Sequence, residues 1–319
     1  MRHDGAAAMI RLLEALGRHA APVLALSLFV GLLLPDLASA LRPLVAPAIV
    51  GLMVCNVMRV DWRRIADVLA RPRRAIAALL WVMLGVTLVA AGVLAPLPLP
   101  QPLKEAVLLT VSSPVLTAVP TFVLMMGLDG ALALFTVIAS SLLQPLVQPP
   151  VVYWLLGLSL DLPLGQLMLR LAIFILAGFA IGATLRRIIG PTRVDSQGKA
   201  IGGAAVALLI VFGIGVMDGT TALILSDPGL VLLYLAVGFA ANLVLQVAGI
   251  VLFWPMARDA GLTVALVGGC RNLANLVAVL GPAASPELAL FLAVGQFPLY
   301  FVPAICGPAY RRLRGLARD

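Results

Sequence analysis

The chain has 319 residues, 62% hydrophobic and 11% charged, with a mean hydropathy of +1.10. Soluble domains carry about 25% charged and 45–50% apolar residues, so a soluble globular enzyme is excluded, and so is a disordered chain. Three cysteines are too few for a disulfide-built secreted scaffold, which leaves an all-α polytopic membrane protein.

A membrane-crossing helix takes about 20 apolar residues. Breaker and charge clusters divide the chain into ten apolar segments, at 20–35, 43–58, 74–96, 103–127, 131–158, 163–185, 199–217, 229–254, 261–281 and 286–309. Residues 1–19 precede them as a cytoplasmic N-terminal segment, in which 6–19 form a basic amphipathic helix suited to the inner leaflet. Ala38-Ser39-Ala40 resembles a signal-peptidase site. Asp4 and Glu14 in the long leading segment argue against cleavage, as does the repeat described below.

Ten spans place both termini on one side of the membrane. That side collects eighteen of the 22 basic residues, including Arg59, Arg63, Arg64, Arg71, Arg73 and Arg74, whereas the other carries only Arg42, Lys104 and Arg170. The positive-inside rule then sets both termini in the cytoplasm. The net charge of +8 is accounted for by topology and lipid headgroup contact rather than by nucleic acid.

Shifting the chain by 156 residues superposes its halves. Ala131-Leu132-Ala133-Leu134-Phe135 falls on Glu287-Leu288-Ala289-Leu290-Phe291, four identities in five, and Pro35 falls on Pro191. The expected units are 20–158 and 163–313, five spans each, so the second is inverted relative to the first. Inverted repeats characterise secondary transporters, which hold substrate near the bilayer midplane on discontinuous helices.

The fourth segment is interrupted at Ser112-Ser113-Pro114-Val115-Leu116-Thr117-Ala118-Val119-Pro120-Thr121, with two prolines, several hydroxyls and no charge. Under the same shift this stretch lands on Gly268-Gly269-Cys270-Arg271-Asn272-Leu273-Ala274-Asn275, where Arg271 is the one basic residue deep inside a span. Breaks at corresponding positions of two halves point to a transport site.

At these residues the chain resembles the bile acid:sodium symporter family, within the wider group that holds arsenite and auxin carriers, and reads as a divergent bacterial member. The resemblance runs from Leu34-Pro35-Asp36 to Pro308, and includes Val57-Met58-Arg59-Val60-Asp61-Trp62 followed by Arg71-Pro72. Ser113-Pro114-Val115-Leu116-Thr117-Ala118 resembles the family's CPGGTA motif, and Cys270-Arg271-Asn272 its MQN motif. The resemblance implies ten transmembrane helices as two inverted five-helix repeats. Helices one, two, six and seven would form a panel against a core of three to five and eight to ten, with helices four and nine crossing at unwound centres. It also implies multi-pass residence in the cytoplasmic (inner) membrane.

Departures from the family pattern bear on sodium. The resemblance implies sodium ligands where this chain has Val119-Pro120, Ala133, Val137 and Val267, and a ligating glutamine where it has Arg271. Sodium needs several oxygen ligands, and a fixed guanidinium repels it: two unit charges 4 Å apart at an effective dielectric of about 20 cost roughly 4 kcal/mol. No resident cofactor is expected, and sodium is disfavoured.

Every acidic residue lies at a segment end or in a loop, the nearest candidates being Asp129, Asp218 and Glu287, so Arg271 has no intramembrane carboxylate partner in the sequence. A charge at mid-bilayer costs about 2.5–3.5 kcal/mol on insertion scales and marks function. Arg271 is read as a fixed cation bonded to carbonyls at the end of a half-helix, as a fork for an anionic substrate, or as a packing residue near the cytoplasm. Asn272, Asn275, Ser113, Pro114 and Thr117 flank it at the two breaks, and Tyr300 is a further candidate for substrate contact. Asn242, Gln246, Gln144, Gln148 and Gln296 read as polar contacts between helices.

His3 and His19 both precede the first span, and Cys55, Cys270 and Cys306 have no motif spacing, so neither a metal cluster nor a catalytic triad is expected. The expected function is secondary transport of a small organic anion by alternating access, without sodium, with membrane lipid around it and no obligate protein partner. A conventional sodium-coupled symporter, an arsenite or metalloid efflux carrier, and a non-transporting sensor are the alternatives.

Overall fold

A computed structural model describes residues 11–17, 20–60, 62–155, 163–256, 258–280 and 284–315. Within the expected N-terminal segment only 11–17 is described, as helix; His3, His19 and the 156–162 connection lie outside. Every regular element among the described residues is helical, apart from one isolated β-bridge.

The chain opens with α1 (Ala20–Leu33), α2 (Pro35–Leu41) and α3 (Val45–Met58), then α4 (Trp62–Leu69) and α5 (Pro72–Leu80). A π-turn at Trp81–Gly85 joins α5 to α6 (Val86–Leu94), followed by α7 (Gln101–Val111), α8 (Val119–Met125) and α9 (Gly130–Pro150). The second half comprises α10 (Leu164–Ile189), α11 (Pro191–Ser196), α12 (Gly198–Gly215), α13 (Thr220–Ser226) and α14 (Pro228–Phe253). It ends with α15 (Arg258–Gly269), α16 (Leu273–Leu280), α17 (Pro286–Val294) and α18 (Gln296–Gly315).

Proline begins α2, α5, α11, α14 and α17. Its fixed φ suits the first helical turn, where its missing N–H would have had no partner. The 156-residue shift carries Pro35 onto Pro191, Pro72 onto Pro228 and the first residue of α9, Gly130, onto the first of α17, Pro286. The caps correspond as well: Leu132 N–H donates to Asp129 Oδ1 at 3.0 Å, and Leu288 N–H to Ser285 Oγ at 3.2 Å. A spacing found in sequence identities thus also relates helix starts.

Six helical runs are long and apolar enough to cross a membrane: Pro35–Met58, Pro72–Leu94, Gly130–Trp154, Leu164–Ile189, Gly198–Ser226 and Pro228–Phe253. A seventh is obtained if Pro286–Val302 and Ile305–Gly315, bent by 43°, count as one. Three of the ten expected segments fall short for visible reasons. The apolar Val23–Leu33 stretch is too brief, and the fourth and ninth segments are each divided into two short helices at their breaks. The expected second span begins earlier than 43, because α2 and α3 form one run from Pro35. Leu169, Ile173, Leu176 and Ile188 of α10 and Leu232, Val247 and Val251 of α14 are exposed. Such apolar rows suit contact with lipid chains rather than water.

The chain divides into two compact units, Met1–Val60 with Ile173–Pro228, and Asp61–Ala172 with Gly229–Asp319. In the first, α12 packs along α1, α2 and α3. Glycine permits the approach: a Cβ on Gly31 would stand 2.7 Å from the Ile214 carbonyl oxygen. Met53, Val57 and Ile175 form a buried cluster beside Phe174 and Phe179, and Arg42 pairs with Asp218 at 2.8 Å. The second unit holds both interrupted helices.

Candidate functional site

The two breaks meet. After α7 the chain runs extended through Pro114-Val115-Leu116, and after α15 through Cys270-Arg271-Asn272; Val115 and Arg271 pair as an antiparallel bridge. Leu116 N–H donates to Cys270 O at 2.9 Å, and Asn272 N–H to Pro114 O at 2.8 Å. Val115 N–H is taken by Ser140 Oγ of α9 at 3.1 Å. With no water in the bilayer core, an unwound segment must find such partners inside the protein.

An interrupted helix leaves carbonyls at the C-terminal end of its first half without donors. Each half-helix here receives one from an amide. Gln148 Nε2 donates to Leu109 O at 3.1 Å, and to Ser112 and Ser113 Oγ at 3.2 and 3.1 Å. Gln144 Nε2 donates to Gln148 Oε1, and Asn275 Nδ2 to Gln144 Oε1. On the other half-helix, Asn242 Nδ2 donates to Gly269 O at 2.9 Å. Gln246 Nε2 donates to Asn242 Oδ1, and Tyr310 O–H to Gln246 Oε1.

Arg271 lies at the crossing, 2% exposed. Its Nη2 donates to Ser113 O, just beyond α7, and to Val82 O at 2.6 Å. Val82 belongs to the π-turn, where the helical hydrogen-bond ladder is displaced by one residue and a carbonyl becomes available. The carbonyls therefore come from the fourth segment's break and from the third span, while Asn242 holds Gly269 of Arg271's own helix. Nε and Nη1 of Arg271 are buried without a hydrogen-bond partner, as are Thr110 Oγ1, Thr87 Oγ1 and Trp81 Nε1. Among the described residues no carboxylate pairs with Arg271.

Beside the guanidinium is a cavity of about 30 Å³ whose polar lining is Thr110, Asn242 and Arg271. A wider, more open cavity of about 370 Å³ is lined by Leu124–Gly127, Arg311, Arg314 and Gly315.

The candidate residues do not all converge. Ser113, Pro114, Arg271, Asn272 and Asn275 are buried at the crossing or in the amide chain that supports it. Thr117 is half-buried past the bridge, and Tyr300, though buried in α18, is not in the cavity wall, where Pro298 and Leu299 stand. Sequence reasoning missed Thr110, Val82 and Tyr310. Thr110 sits in an apolar run, and Val82 acts through its backbone, so neither has a residue-type signature. The polar Tyr310 of the final helix was the readable one.

The sequence profile of the Sodium Bile acid symporter family matches residues 46–227, more than half of the 319. The chain belongs to the sodium bile acid symporter family. It is accordingly a membrane transport protein and not an enzyme. The family match contains the first break and ends before the second. No curated protein matches the chain. At the positions where the family resemblance implies sodium ligands, this member has buried Val119, Ala133, Val137 and Val267, half-buried Pro120, and the buried guanidinium of Arg271.

Proposed function

We propose that this family member is a secondary transporter of a small organic anion, working without sodium, with Arg271 as a resident internal cation. The observation that carries the reading is the guanidinium itself: buried, bonded to the Ser113 and Val82 carbonyls, and flanked by hydrocarbon where oxygen ligands would be needed. Removing a charge from water costs several kcal/mol unless polar groups receive it, and here backbone carbonyls of the crossing do.

Cavity size bears on two of the three roles considered for Arg271. A site for an organic ligand takes about 300–1,000 Å³, whereas the cavity at Arg271 measures about 30 Å³. This favours the fixed cation over a fork gripping the substrate, with Asn272, Asn275, Ser113 and Pro114 shaping the crossing around it.

In this reading the two compact units would serve as panel and core, and the 156-residue relation between helix starts supports an inverted-repeat frame. The basic residues favour cytoplasmic termini in an inner membrane. Uptake of candidate organic anions into proteoliposomes, with sodium and with choline outside, tests the reading. Equal uptake is expected; stimulation by an inward sodium gradient overturns it.

A further inference from the structure

We propose that the small cavity lined by Thr110, Asn242 and Arg271 binds one small monovalent inorganic anion of the size of chloride or bromide. The inference rests on Arg271 being a charged resident of the crossing and not on the identity or coupling of the transported solute.

Thr110 gives the first indication. Hydroxyls within helices usually bond a carbonyl of the preceding turn, as Ser112, Thr136 and Ser140 do with Leu109, Ala133 and Val137. Thr110 Oγ1 is buried on the cavity wall and makes no such bond. Its hydroxyl is left without a partner at the edge of the cavity.

Arg271 also offers donors. It has only N–H groups, and its Nε and Nη1 are unpaired. Asn242 Nδ2 donates to Gly269 O, its side chain also bonds the Cys270 thiol, and its Oδ1 accepts from Gln246, so Asn242 is committed and the unpaired donors are those of Arg271 and Thr110. The remaining wall is apolar, with Val107, Leu245 and Phe291 among it. Donors of this kind, enclosed by hydrocarbon, select an acceptor that needs no donors of its own.

Charge points the same way. Two C-terminal and two N-terminal half-helix ends converge near the bridge, so their opposed partial charges cancel to first order. The full positive charge of Arg271 is left, with no carboxylate paired to it among the described residues. A water molecule needs roughly 10–15 Å³ of such space, so about 30 Å³ suits a halide better than a bulkier organic carboxylate. Water alone would fill the volume and leave the charge unneutralised.

The test uses the purified full chain in detergent, with sodium and ionic strength held constant while gluconate is replaced by chloride or bromide. The wild type should show saturable thermal stabilisation by either halide. Thr110→Val keeps the side chain's shape and removes only an unbonded hydroxyl, so it should fold equally well in gluconate and require about tenfold more halide for half-saturation. Crystals grown in bromide should show an anomalous peak between Thr110 and Arg271. Equal stability in gluconate and halide, identical titration of Thr110→Val, or a solvent peak without anomalous signal each overturns the proposal. If Thr110→Val does not fold, the bromide crystal of the wild type decides. Sodium is constant throughout, so failure here leaves the sodium-independent transport reading standing, and sodium-stimulated uptake leaves this site standing.

Discussion

Val115 and Arg271 pair across the crossing, and their separation in sequence is the 156 residues that relate the two halves of the chain. The hydrogen bonds flanking the bridge share the relation: adding 156 to Leu116 gives Asn272, and adding 156 to Pro114 gives Cys270, so each bond is the other's counterpart. Equivalent residues that pair antiparallel through reciprocal bonds are related by a local two-fold. This supports an inverted repeat whose pseudo-symmetry axis runs through the bridge, and it makes Arg271 the asymmetric feature: valine in one half, guanidinium in the other.

The first prediction concerns that asymmetry. Arg271→Gln removes the fixed charge and leaves Ser113 and Val82 carbonyls free to accept from, or coordinate, something else. Its stability should fall by about 1–3 kcal/mol through lost carbonyl partners. Unlike the wild type, it should be stabilised by sodium relative to N-methylglucamine at constant chloride. Thermal unfolding in the two salts reads both effects. A variant that neither responds to sodium nor changes anion uptake would sink the account of Arg271.

The two amide chains should behave as independent supports. Gln148→Leu strips donors from Leu109 O and two serine hydroxyls, and Asn242→Leu strips one from Gly269 O. Each should lower stability by about 1–3 kcal/mol. The chains share no hydrogen-bond partner, so the double variant should equal the sum within about 0.5 kcal/mol. Chemical denaturation of the two singles and the double measures it, and strong non-additivity would mean that the half-helices are coupled through the bridge.

Much of this arrangement was legible in the sequence. Identities around Ala131 and Leu288 carried the 156-residue shift, and prolines and hydroxyls at 112–121 marked the first break. Arg271 stood out because no other basic residue lay deep in a span. Its partners did not stand out, since a carbonyl such as Val82 O belongs to every residue and the π-turn at Trp81–Gly85 has no composition of its own. Span counting included two segments that the sequence already showed to be broken and a first one too short to cross, which is why ten segments correspond to six or seven continuous runs. Tyr300 was favoured by resemblance, while Tyr310, a few turns further on, is the tyrosine that bonds Gln246.

Close helix contact gives a third prediction. A Cβ on Gly249 of α14 would stand 2.6 Å from the Ala265 Cα, a backbone atom that cannot rotate away. Gly249→Ala should therefore cost about 1–3 kcal/mol. Gly92 of α6 has no atom within 4 Å of the same position, so Gly92→Ala should be neutral or stabilising by up to about 1 kcal/mol. Thermal unfolding of the pair tests the packing, and equal effects would contradict the α14–α15 approach.

The last prediction uses corresponding helix caps. Asp129 Oδ1 and Ser285 Oγ each accept the N–H three residues on, at the starts of α9 and α17. Alanine at either site should cost about 1 kcal/mol, because the accepted N–H has no other partner in the first turn. Asp129 N–H donates separately to Thr263 Oγ1, a backbone bond that substitution leaves in place. If the two sites are counterparts, their side chains should be exchangeable: Asp129→Ser and Ser285→Asp should each retain most of the cap, the second aided by a carboxylate at a helix N-terminus. Thermal unfolding of the alanine and exchange variants decides. Exchange variants as unstable as the alanines would show that the two caps are not equivalent, and would weaken the two-fold relation drawn from Val115 and Arg271.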